Sequence, residues 1–182
     1  MQIEELKIPR CYLVIPNVFE DKRGRFVKTC HTEIMNNIAV DTDFVEEYYS
    51  TSNKGVIRGM HFQMPPDDHV KMVYCPNGTV FDAFVDLRKG SPTYLESFSL
   101  TLSSSDNKIL ILDKGIAHGF CALTNEAMMI YKTTTVYSPE NDSGIAWDSC
   151  DIKWPDDKVA ELVSDRDSNF EKLSDFNSPF QY

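Results

Sequence analysis

Short apolar-rich runs separated by turn residues dominate the chain, and their period is that of strands, not helices. Cys11 to Ile15 ends at Pro16-Asn17, and Arg25 to Thr29 follows the turn Asp21-Lys22-Arg23-Gly24. Phe44 to Ser50, Val56 to Gln63, Val70 to Cys75 and Thr79 to Leu87 come next. Tyr94 to Leu102, Lys108 to Leu112, His118 to Leu123 and Met128 to Tyr137 complete the set. Turn residues recur about every ten positions, which predicts an all-β sandwich or barrel. Pro76-Asn77-Gly78, flanked by apolar residues, predicts a hairpin. Helices are expected only at His31 to Ile38 and, after Pro155, at Asp156 to Val163. The expected architecture is a jelly-roll-like β-barrel from about Cys11 to about Trp154. It forms a single domain over residues 1–182, with a helical tail over about 155–182.

One strand departs from simple alternation. In Val56 to Gln63, Ile57, Met60 and Phe62 are apolar while Arg58, His61 and Gln63 are polar, and the alternation slips at Gly59. Such a slip predicts a bulge or a close approach of backbone. Polar residues among large apolar ones line either a solvated face or a ligand cavity. Barrels of this size can hold one small ligand, so inward polar side chains are candidates for chemistry.

Composition narrows the classes. The chain has 182 residues, 42% hydrophobic and 25% charged, enough for one domain with a real core. A net charge of −10 argues against a broad nucleic-acid face or an anionic membrane surface. The five cysteines are widely spaced and form no C-x-x-C pair, so reduced thiols are expected and no zinc site. The start MQIEELKIPR lacks the apolar core of a signal peptide, and no apolar run reaches membrane-spanning length. A cytoplasmic protein without membrane or nucleic-acid partners is expected.

Of the four histidines, His31 and His69 are expected at the surface, the second in the Pro65-Pro66-Asp67-Asp68 loop. His61 and His118 sit in strands, as core residues or as functional ones. His61-Phe62-Gln63 lacks the His-x-His pair of metal-binding jelly rolls, so no metal is expected. Tyr131 and Tyr137 belong to one β-branched-rich run: they are packing residues, or phenols held in a cavity. Lys71, among the apolar residues of Val70 to Val73, snorkels outward or faces an anion inside the barrel. No phosphate-binding glycine loop and no nucleophile elbow occurs.

The segments RGMHFQ, VFDAFVDLRKGSPTY, GIAHGF, YKTTTVYSPE, GIAWD and IKWP, with a lysine ten residues past His61, resemble the dTDP-4-dehydrorhamnose 3,5-epimerase family. Their order and spacing match from about Ile15 to Asp167. The resemblance implies a cupin-type jelly roll and a homodimer in which N-terminal strands, within about residues 1–50, cross to the partner. It implies no metal and no organic cofactor. It makes His61 the catalytic base, Asp167 its carboxylate partner, Tyr131 the acid on the opposite face of the sugar and Lys71 the stabiliser of an enolate. Arg58 and His118 match substrate contacts, Arg23 and Arg166 the cations of the diphosphate region, and Asp142 an acidic substrate contact. Gln63, on the same strand as His61, joins the candidate binding set. A ketone at sugar carbon 4 acidifies the hydrogens on carbons 3 and 5, and an imidazole, with an unperturbed pKa of about 6.5, can remove one near neutral pH.

The chain also departs from the family pattern. Where the family has Phe-Val-Gln-Asp-Asn-His-Ser, whose Gln and Asn contact the nucleotide, this chain has Phe44-Val45-Glu46-Glu47-Tyr48-Tyr49-Ser50. Glu46 cannot donate as a glutamine amide does, and an acidic acceptor suits a base with an amino group, as in a cytidine or guanosine diphosphate sugar. Lys28 stands where an acidic residue is usual, and Val136-Tyr137 replaces a tyrosine pair, which bears on how the sugar ring is seated. The expected substrate is a nucleoside-diphosphate 4-keto-6-deoxy sugar. The rival readings are a single-carbon epimerase, a ketoisomerase, a non-catalytic binding jelly roll and a metal-dependent oxygenase.

Overall fold

The computed structural model describes residues 1–155 and 162–182. In chain order the first strands are β1 (Gln2–Glu5), β2 (Tyr12–Ile15), β3 (Val18–Asp21) and β4 (Gly24–Val27), then the one-turn helix α1 (Thr32–Met35). There follow β5 (Glu46–Ser52), β6 (Ile57–Gln63), β7 (Lys71–Asn77), β8 (Thr79–Asp86) and β9 (Ser97–Ser103). The rest are β10 (Ile109–Leu112), β11 (Ile116–Ala122), β12 (Ala127–Thr133), β13 (Asp142–Gly144) and α2 (Asp165–Ser168). They form a six-stranded sheet, β1-β2-β10-β7-β12-β5, a five-stranded sheet, β13-β6-β11-β8-β9, and the separate hairpin β3-β4. This is the cupin-type jelly roll expected from the sequence.

The core follows from alternation. In β10 all four residues are buried, yet they serve two faces. Leu110 and Leu112 point between the sheets, where they meet Val73, Val80, Phe84 and Phe120. Ile109 and Ile111 point outward under Met35 and Val40 of the α1 region, beside Tyr12 and Val14. A strand covered on both sides reads as a continuous apolar run, as ILIL does. By contrast β12 alternates: Ala127, Met129, Tyr131 and Thr133 are buried while Met128, Ile130 and Lys132 are partly exposed. The space between the sheets is apolar at one end and polar at the other, and the polar end holds the site.

Several expectations shift. The Pro76-Asn77-Gly78 turn makes no hairpin: β7 lies in the six-stranded sheet and β8 in the five-stranded one, so the chain changes sheets at Gly78. Glycine is needed there because φ is 81° and an added Cβ would lie 2.4 Å from the Thr124 hydroxyl oxygen. The run from Tyr94 becomes strand only at Ser97, and that from Met128 ends at Thr133, leaving Tyr137 in a loop. The helix expected at 31–38 is the single turn α1. Strands β1, β3 and β13, too short or too polar to show a period, were not expected. The helix expected over 156–163 falls almost wholly outside the described residues; beyond Ser164 the chain forms α2 and then irregular structure. Among the described residues no helix is long and apolar enough to cross a membrane.

Candidate active site

The slip of alternation at Gly59 is a β-bulge. His61 lies opposite His118 and Arg58 opposite Phe120, so β6 spends three steps where β11 spends two. The extra residue lets both Arg58 and His61 face the space between the sheets, while Met60 and Phe62 pack outward with Ala83 and Val85. Gly59 has φ 148°, and a Cβ there would fall 2.5 Å from Gly119 Cα, so no other residue fits. Its freed N–H donates to Asp167 Oδ2 at 3.1 Å. The bulge therefore aims a histidine and anchors the carboxylate that meets it.

That carboxylate arrives from α2. Ser164 caps the helix by accepting the Asp167 N–H at 3.1 Å, and Asp167 Oδ1 sits 2.8 Å from His61 Nε2. Burial works to raise the Asp167 carboxyl, but hydrogen bonds from His61, Gly59 and Ser164 outweigh it and hold the group below the usual carboxylate range. Phe170 lies edge-on to the His61 ring at 5.9 Å, in the space that Gly144, opposite His61 in register, leaves by lacking a Cβ. Arg166 pairs with Asp142 at 2.8 Å and lies 5.3 Å over the Phe170 ring.

Around His61 lies a cavity of about 360 Å³, the lower part of the range for small-ligand sites. From the five-stranded side it receives Arg58, His61, Gln63, His118 and Asp142; from the six-stranded side Glu46, Tyr48, Ser50, Lys71, Tyr131 and Thr133. Tyr137 and Arg166 lie at its edge from the flanking segments. Lys71 shares the inward face of β7 with Val73 and Cys75; Nζ donates to the His61 carbonyl at 3.4 Å. Burial pushes Lys71 down to about 8, against the pull of Asp142 and Asp82. Burial likewise pushes the Tyr131 phenol well above its ordinary value, so it keeps its proton. His118 is paired with fully buried Asp82, Nε2 to Oδ2 at 2.9 Å. Desolvation lowers the imidazole and raises the carboxyl, the mark of a pair that resists full charge separation.

Of the expected residues Arg23 lies elsewhere, while Gln63 and Glu46 line the cavity and also hold loops. Arg23 sits at the tip of the β3–β4 hairpin, exposed and bound to Asp21 at 2.6 Å, away from this cavity. Gln63 is buried and ties loops together: its Oε1 accepts the Ser138 N–H at 2.7 Å and its Nε2 donates to the Asp67 carbonyl at 2.8 Å. Glu46 lines the cavity, and its Oε2 accepts the Tyr137 N–H at 2.5 Å. His69, expected at the surface, lines the cavity beside Gln63 and Thr135, and burial among Lys71 and Lys114 pushes it down to about 3. His31 is half-buried. Sequence reasoning missed Asp82, Ser50 and Phe170. For Asp82 the signal was its place in the inward, apolar alternation of VFDAFVD. Among the described residues no three His, Cys, Asp or Glu side chains gather as a metal site would.

Groups able to take, return and electrostatically support a proton's movement share one small cavity of a jelly roll, which is the make-up of a cupin-type isomerase. The family model for dTDP-4-dehydrorhamnose 3,5-epimerase matches residues 5–175, and the chain belongs to that family. It is 38% identical to the dTDP-4-dehydrorhamnose 3,5-epimerase of Shigella flexneri over 96% of this chain and 97% of that one. The Legionella pneumophila dTDP-6-deoxy-D-glucose-3,5-epimerase, solved with dTDP-4-keto-L-rhamnose, superposes with a TM-score of 0.90 at 31% identity, covering 100% of this chain and 98% of that one. A 3'-monoepimerase from Streptomyces bikiniensis, solved with dTDP-quinovose, gives 0.87 at 27% identity, covering 93% and 87%.

Proposed function

We propose that this epimerase inverts carbons 3 and 5 of a dTDP-linked 4-keto-6-deoxy sugar. His61 is the base, Tyr131 the acid on the opposite face, and Lys71 the cation at the enolate oxygen. The carrying observation is that His61, locked to Asp167, and Tyr131 stand on facing sheets with the cavity between them. With Nε2 given to the carboxylate, Nδ1 holds the lone pair that takes the proton, and Asp167 supports the imidazolium that forms. The electrons left on carbon delocalise onto the ketone oxygen, where the Lys71 ammonium offsets the charge. Tyr131 returns a proton to the other face; phenolate and imidazolium then reset through solvent.

The thymidine base is supported by the relatives' names. The exposed pair Phe19 and Phe26, 63% and 62% accessible on a hairpin that bears Arg23 far from its own cavity, supports a homodimer in which that hairpin serves the partner's site. Light scattering should give twice the chain mass. NMR in D₂O with 4-keto-6-deoxy glucose on dTDP, UDP, CDP and GDP tests the substrate. Deuterium should enter carbons 3 and 5, fastest with dTDP; a preference for CDP or GDP would contradict the base, and exchange at one carbon alone the double inversion.

A further inference from the structure

Three consecutive inward positions of β5 each grip the strand that carries the acid, or the loop after it. Glu46 accepts the Tyr137 N–H, Ser50 Oγ lies 3.4 Å from the Tyr131 hydroxyl, and Tyr48 is directly opposite Tyr131 in the ladder. The two rings are stacked, with centroids 4.8 Å apart and planes 13° from parallel. We propose that Tyr48 is a positioning residue for Tyr131, and that this stack sets how well the proton is returned to the face opposite His61.

A hydroxyl contact of 3.4 Å fixes a phenol poorly, because hydrogen bonds of phenols are ordinarily near 2.7–2.8 Å and weaken with length. A tyrosine ring has a broad preference about its second side-chain torsion, so something must hold its plane. The face of Tyr48 does so, leaving Tyr131 only 7% accessible while Tyr48, at 43%, covers it from the mouth of the cavity. Where the family pattern has asparagine, no ring face is available. The departure Glu46-Glu47-Tyr48-Tyr49 is thus a support for the acid, not a reader of the base.

The inference rests on Tyr131 being the acid, and one experiment separates the two. Deuterium wash-in and net inversion are measured together on the 4-keto-6-deoxy sugar for wild type, Tyr48→Asn, Tyr48→Leu and Tyr48→Phe. A displaced catalytic group costs up to about a hundredfold, so the Asn and Leu variants should invert at least about tenfold more slowly. Their wash-in should fall less than their inversion, and Tyr48→Phe, which keeps the ring, should restore the inversion-to-exchange ratio. An unchanged ratio in the Asn and Leu variants overturns the positioning role, and a rise in KM alone makes Tyr48 a substrate contact instead. Wild type that neither exchanges nor inverts would sink the reading of the site and this inference with it.

Discussion

Replacing Asp167 by asparagine tests the dyad without emptying the space. Asp167 Oδ1 accepts from His61 Nε2 at 2.8 Å and Oδ2 accepts the Gly59 N–H at 3.1 Å. In the variant the amide oxygen remains the natural acceptor for Gly59, which turns the NH₂ group toward His61 Nε2. His61 can then only accept there, so its proton moves to Nδ1, the nitrogen that should take the substrate's proton. A charge-assisted hydrogen bond contributes about 1.5–3 kcal/mol. At 1.36 kcal/mol per decade that is roughly ten- to 150-fold in rate, with the wrong tautomer adding to it. The Ser164 cap accepts the Asp167 backbone N–H, which the substitution keeps, so α2 should survive. Single-turnover deuterium wash-in, followed by NMR at saturating substrate, should fall by at least tenfold in a variant whose circular dichroism shows it folded at the assay temperature. A variant that exchanges at the wild-type rate would refute the claim that the carboxylate prepares the base.

Lys71 must carry its charge to stabilise an enolate, and burial has lowered it to about 8, so inversion should decline as pH rises through that value. Lys71→Met should lower kcat by about 10²–10³-fold, and an alkaline limb that persists unaltered in Lys71→Arg would show that another group causes it. Away from the site, buried Asp86 receives Arg88, Ser91 and Thr93, and Arg88 also reaches Asp113. Asp86→Ala leaves Arg88 buried with less compensation and should cost about 3–5 kcal/mol in denaturant titrations. Burial opposes the Asp86 charge, but the hydrogen bonds win and lower its pKa. That contribution is fully present above an unfolded carboxylate value of about 3.9 and lost as pH falls through the lower folded value. The acid loss should therefore be smaller in Asp86→Asn.

Much of the barrel was legible because its strands show their burial in their pattern: β10 as a continuous apolar run and β12 as an alternating one. The slip at Gly59 was legible too, and it proved to be the device that aims His61. What failed was information held by other strands. The Asn77-Gly78 signal is local and specifies a turn, but whether the next strand pairs or crosses to the other sheet depends on its partners, β9 and β11. His69 lies in the loop where the sequence put it but looked like a surface residue, because its contacts with Gln63 and Thr135 come from positions 6 and 66 residues away. The sequence did not show that Tyr48 stacks on Tyr131 or that Glu46 accepts the Tyr137 N–H; the first needs the register of β5 against β12 and the second the path of the loop after it. Arg23 was legible as a cation, but its place at the tip of the β3–β4 hairpin, outside the cavity, was not.

The central claim is that His61 takes the substrate's proton and Tyr131 gives one back. It is tested most directly by NMR of the 4-keto-6-deoxy sugar nucleotide in D₂O with wild type, His61→Ala and Tyr131→Phe. The account predicts deuterium at carbons 3 and 5 with wild type, none with His61→Ala, and exchange that outlasts net inversion with Tyr131→Phe. Deuterium entering either carbon in the presence of His61→Ala, at a rate above the uncatalysed one, would contradict it.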